Sequence, residues 1–191
     1  MMFHEGFYLL AHGAMPGELV VNLVGTPTSD DILLATGQLV PLVPVRFEYH
    51  MGKKLNDFLL SSSPVISIIS DRFLEIIRPF SGWKTYPVDI VGRDGKSIGG
   101  FHGLAITGRS GPIDNSRSTE ELVPPQYPAV RPVRMRVGLF FDESTWDGSD
   151  IVVPHQSGHI FVTNKLRSAL VAAGLKNVEL TQAAQIKRHI V

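Results

Sequence analysis

The chain has 191 residues, 43% of them apolar, with 18 basic and 18 acidic side chains and no cysteine. Zero formal charge leaves no global field to draw it onto nucleic acid or an anionic membrane, and without cysteine there are no disulfides, thiolate nucleophiles or Cys-ligated metals. No apolar run approaches the roughly 18 residues of a membrane-spanning helix, and His12, Gly13, Pro16 and Glu18 break up the N-terminus too early for a signal peptide. The expectation is one cytoplasmic domain over residues 1–191, long enough to bury a substantial core.

Residues 1–56 read as β structure in short pieces. Phe7–Leu10, Leu19–Val24, Ile32–Leu34 and Leu39–Tyr49 are apolar runs separated by turn-forming residues. Pro41 and Pro44 make the last of these an edge strand or a bent one, because proline cannot donate to a ladder. Residues 57–182 form the main body. Tyr86, Val88 and Ile90 alternate with polar or proline neighbours, Gly92-Arg93-Asp94-Gly95 reads as a tight reversal, and Ile98–Thr107 as its return. Glycines at 99, 100 and 103 point to bulges or close backbone contact in that return strand. The polar stretch 108–132, with prolines at 124, 125, 128 and 132, reads as a long surface loop. Arg134–Phe141 is a strand, Asp142–Asp150 an acidic loop, Ile151–Val153 a strand turning through Pro154–Gly158, and 183–191 a frayed tail.

Within this body one local pattern occurs twice, at residues 66–88 and 159–180. Each copy has an apolar run, a Ser or Thr cap, an amphipathic stretch, a glycine and a second apolar run. Phe73, Ile76, Ile77 and Phe80 are spaced i, i+3, i+4, i+7, as are Leu166, Ala169, Leu170 and Ala173, so each copy carries one helical stripe. Ser70 and Thr163 (or Asn164) are N-cap candidates, and Gly82 and Gly174 stand where a left-handed C-terminal residue is cheap. The expected fold is α+β: a mainly antiparallel sheet with two principal helices from duplicated β–α–β units.

Reacting groups are sparse. His155 and His159 have a spacing that pairs imidazoles on a helix in zinc enzymes, but Pro154, Ser157 and Gly158 place them in a turn without a third ligand. Neither a nucleophile elbow nor a phosphate loop is present, since the glycines at 92, 95, 108 and 111 lack the required spacing and following helix. No cofactor or metal site is expected. Asp142, Glu143, Asp147 and Asp150 surround Trp146, and an aromatic inside a carboxylate rim is a candidate protein contact. The alternative is that Trp146 folds back on the sheet as an anchor.

Three stretches carry a family resemblance: Ser149-Asp150-Ile151, Ile160 through Leu166, and Ala173 through Leu180. With Asp57-Phe58-Leu59, Val65 through Ile77 and Ile113 through Ser116, they resemble a bacterial immunity-protein family of polymorphic toxin systems, with myxobacterial members, over roughly residues 57–182. The 98–103 and 119–132 stretches depart from it. The resemblance implies a non-enzymatic cytosolic protein that binds and neutralises a cognate toxin domain. Two alternatives stay open: a hydrolase using the His155/His159 turn, and an accessory module assembling with itself through an open sheet edge.

Overall fold

The computed structural model describes residues 6–13, 16–26, 28–124 and 131–189; Pro125 and Pro128 of the proline-rich stretch lie outside them. In chain order the elements are β1 (Phe7–His12), β2 (Val20–Leu23), α1 (Thr28–Ala35), β3 (Val45–Met51), β4 (Phe58–Ser61), β5 (Ser67–Ser70), α2 (Asp71–Ile77), β6 (Trp83–Val91), β7 (Ser97–Ile98) and β8 (Phe101–Ile106). There follow β9 (Gly108–Pro112), β10 (Thr119–Val123), β11 (Val133–Val137), β12 (Ile151–His155), β13 (Ile160–Thr163), α3 (Asn164–Ala173), β14 (Val178–Gln182) and β15 (Lys187–His189). The class is α+β, with strands predominating over three α-helices among the described residues. No helix among these residues is long and apolar enough to cross a membrane.

Four expectations are corrected. Ile32–Leu34 belongs to helix α1, where Asp30 and Asp31 occupy the first turn and suit the positive helix end. In the fourth N-terminal run only Val45–Met51 is strand, and Pro41 and Pro44 precede it. The supposed loop 108–132 supplies β9 and β10, and β10 pairs antiparallel with β11 from Thr119↔Val137 to Val123↔Val133. The tail is not frayed through 189: Ala183 and Ile186 are buried and β15 pairs with β11.

Strands β3, β2, β4, β5, β8 and β6 follow one another, and β3 pairs back onto β6, so this sheet closes into a barrel-like ring. Leu19, Val21, Phe47, Leu59, Ile68 and Ile90 fill it, and Leu34 of α1 packs with them. Gly103 faces the Tyr86 ring so closely that a Cβ would collide with it, which is the close contact the glycines of this strand anticipated.

One strand arrangement occurs in both large sheets. The order β6–β8–β5–β4–β2 has antiparallel pairs except for the parallel β4–β2. The order β14–β1–β13–β12–β9 has the same directions, again with the last pair parallel. In each, the helix leaves the middle strand through a capped turn: Ser70 Oγ accepts from Phe73 N at 3.1 Å and Thr163 Oγ1 from Leu166 N at 3.4 Å. Each cap is also tied to an aspartate thirteen residues earlier. Ser70 Oγ donates to Asp57 Oδ1 at 2.8 Å and Thr163 Oγ1 to Asp150 Oδ1 at 3.2 Å. The second carboxylate oxygen crosses to the other unit. Asp57 Oδ2 accepts from Lys176 N, just after α3, at 2.7 Å, and Asp150 Oδ2 accepts from Ser81 N, just after α2, at 3.0 Å.

These cross-ties bracket a shared core. Phe73, Ile77, Leu166 and Leu170 from the two helices bury against Phe58, Ile69, Leu104, Ile151 and Val162 from the two sheets. Ile76, Phe80, Ala169 and Ala173 are half-buried at its edge. Gly174 ends α3 in the left-handed conformation, with φ 59°. Gly82 does not cap α2, which ends at Ile77; it is required because a Cβ there would strike the Ile151 carbonyl. A third core, of Phe7, Leu139, Phe141, Val152 and Phe161, lies on the other face of the second sheet.

Candidate functional site

Helix α1 follows β2 and packs on the barrel through Leu34. Leu34 turns inward and is 1% exposed, whereas Ile32 on the same short helix is 59% exposed. The chain then runs through Val40, Leu42 and Val43, which are 71%, 101% and 71% exposed. Pro41 and Pro44 interrupt this run, fixing their own φ angles and removing two backbone donors, and residues 38–44 join no strand. The result is an apolar ridge in water, and contiguous patches of this kind mark interaction sites.

Beside the ridge lies a cleft of about 480 Å³, enclosed by α1, by β5 and β8 of the barrel and by the turn between β12 and β13. Ile32, Val65, Leu104, Ile106, Val153 and Ile160 form its apolar walls. Arg109, the second residue of β9, lines it too. Its Nη1 donates to the carbonyls of Ile106 and Gly108 at 2.7 and 2.8 Å, and its Nη2 to that of Thr36 at 2.9 Å. Burial pulls the guanidinium below its ordinary pKa, and the Asp147 charge opposes that pull. A smaller cleft of about 200 Å³ opens against β1 and β4. At its His12, Nε2 accepts from Asn177 Nδ2 at 2.6 Å and lies 3.4 Å from Glu18 Oε2. Burial lowers the His12 pKa despite the Glu18 carboxylate.

The two turn histidines do not converge. His155 is exposed and lines the larger cleft, whereas His159 is half-buried and lines the smaller. Burial, and then the Arg188 charge, hold the His159 imidazole below its ordinary pKa. Among the described residues no group of three or more His, Asp or Glu side chains is placed to hold a metal ion.

The acidic segment is built into the fold. Asp142 Oδ1 accepts from Ser144 N at 2.9 Å, capping the 3-10 turn Glu143–Thr145, and the Ser144 hydroxyl and amide hold its carboxyl below the usual pKa. Asp147 accepts from Arg109 N at 2.7 Å and from Ser149. Burial pushes the Asp147 carboxyl up, but those hydrogen bonds together keep it below its ordinary range. Asp150 serves the cross-tie described above, and burial raises the Glu143 carboxyl. Trp146 is half-buried, stacked edge-on to Phe7 at 5.0 Å, with its indole N–H donating to Ser149 O at 2.9 Å. It therefore takes the anchoring position, since a ring with one polar atom satisfies that atom on the backbone while its body covers Phe7.

Sequence reasoning passed over the ridge and the cleft. A signal for the ridge was present, since an apolar run broken by two prolines is a poor candidate for a buried strand. The cleft left none, because its walls come from segments far apart in the chain. A depression at the far end of β3, lined by Lys53, Lys54, Arg93 and Lys96, was equally scattered. No known family model matches the chain, and no curated protein matches its sequence.

Proposed function

We propose that the protein acts by binding another protein stoichiometrically in the cytoplasm, as an immunity protein binds its toxin domain. The apolar ridge of Ile32, Val40, Leu42 and Val43 is the observation that supports this reading most. Burying a large aliphatic side chain is worth roughly 1.5–3 kcal/mol, so the ridge holds binding energy that the isolated chain leaves unused. Its two prolines reduce the ordering cost of association. A stable complex buries on the order of 1,600 Å², so the ridge is the centre of the contact and not all of it. The segment with Asp142, Glu143, Trp146, Asp147 and Asp150 is a second candidate contact, subordinate because these side chains already serve the fold. The hydrolase alternative draws little support from histidines that line separate clefts.

The test is protection. A toxin-like reading frame, if one is encoded beside this gene, should arrest growth when expressed alone, and co-expression of this chain should restore it. Val40→Asp with Leu42→Asp should abolish the rescue without lowering the melting temperature, since both side chains already lie in water. Full rescue by the double variant would remove the ridge from the interface. Absence of rescue by the native chain would remove the immunity reading itself.

We also infer that the two strand–helix–strand units, with their mainly antiparallel strands, descend from one duplicated unit. The matching aspartate-to-cap ties and the twice-occurring strand order support this. Equivalent caps should be interchangeable: Ser70→Thr combined with Thr163→Ser should change stability by less than about 1 kcal/mol. A double variant that fails to fold would contradict the equivalence.

A further inference from the structure

We propose that the cleft beside α1 binds a small amphipathic carboxylate, an acyl or aryl chain carrying one carboxylate group. This stands apart from the protein-binding reading, since it needs no partner protein. The volume of about 480 Å³ lies within the roughly 300–1,000 Å³ of small-molecule sites, which are mostly apolar with a few polar groups that fix orientation. Here aliphatic walls are interspersed with neutral polar groups such as Gln38, Ser67 and Gln156, and the ionisable lining groups are Arg109 and His155, with no Asp or Glu among them.

The guanidinium has five N–H donors in a rigid fork. The carbonyls of Ile106, Gly108 and Thr36 take three of them and fix the plane of the group. Among the described residues, the Nε–H and one Nη2–H have no hydrogen-bond acceptor. Asp147 is the carboxylate that acts on Arg109, but its oxygens are bonded to Arg109 N and to Ser149. A half-buried cation without an ion-pair partner and with two free donors suits a carboxylate, whose two oxygens can take both. The aliphatic walls suit the chain that such a carboxylate carries. In the smaller cleft, by contrast, His12 already has Glu18 beside it at 3.4 Å.

Calorimetric titration of the full chain with octanoate, 1-octanol and octylammonium separates charge from apolarity. Octanoate should bind at one site, octanol about tenfold more weakly or worse for lack of the charge-assisted bonds, and octylammonium not measurably. Arg109→Gln should erase the preference for octanoate over octanol. Because Arg109 also ties three carbonyls and its loss could unsettle the fold, Ala35→Phe provides a second variant. It narrows the cleft from α1 while leaving Arg109 in place, and it too should abolish octanoate binding. No octanoate binding at millimolar concentration, or equal affinity for octanoate and octanol, would overturn the proposal. So would unchanged binding in Ala35→Phe, which would move the anion to another surface such as the lysine-lined depression.

Discussion

At Gly103 a single methyl group is too much, because the Tyr86 ring occupies the space a Cβ would need. Gly103→Ala should cost about 1–3 kcal/mol as an overpacked core position, read as a lowered urea midpoint. The Tyr86 hydroxyl is buried without a partner among the described residues, and burial, then the Asp31 charge, push its pKa up. Removing an unpaired buried hydroxyl is nearly free or favourable, so Tyr86→Phe should leave the midpoint unchanged or raise it. His12 adds a pH dependence. Burial lowers its folded pKa from the ordinary 6.5, so below that value the unfolded chain binds the proton more readily and stability falls. His159 is shifted in the same direction. The unfolding free energy should therefore decline as the pH falls through the ordinary imidazole value of 6.5, and His12→Gln with His159→Gln should flatten the decline. An equally steep decline in that variant would assign it to other groups.

At the scale of elements, the helices were legible wherever the information was local. Stripes at helical spacing and Ser or Thr caps announce themselves within ten residues, and Phe73, Ile77, Leu166 and Leu170 are buried as their spacing implied. Ile77→Ala or Leu170→Ala should cost about 2–5 kcal/mol, seen as a drop in melting temperature. Helix α1 was misread because Ile32, Leu33 and Leu34 make a run too short to distinguish helix from strand by period. β9, β10 and β15 were misread because glycine, serine and charge dominate them, and the partners of β9 and β15 lie far off in the chain. The aspartate ties escaped notice for the same reason: half of each tie crosses to the opposite unit. Removing one aspartate breaks half-buried or exposed hydrogen bonds worth about 0.5–1.5 kcal/mol each. Asp57→Ala and Asp150→Ala should each destabilise by that order and combine non-additively, since both secure the α2–α3 pair. Strict additivity in a double-mutant cycle would show the two ties to be independent.

Across the whole molecule, the fold separates support from presentation. Two matched sheets and two helices bury one shared core, while α1 and the following loop hold aliphatic side chains in water beside a cleft. Composition, charge and the absence of reacting motifs pointed toward binding before any contact face could be named. The proposed face required the fold, because burial decides which apolar residues are left over. The most direct measurement is amide hydrogen exchange of the chain alone and in complex with a toxin domain that it neutralises. On binding, exchange should slow in α1 and at residues 36–43, while the acidic segment changes less. Unchanged exchange at 36–43 in a saturated complex would contradict the account.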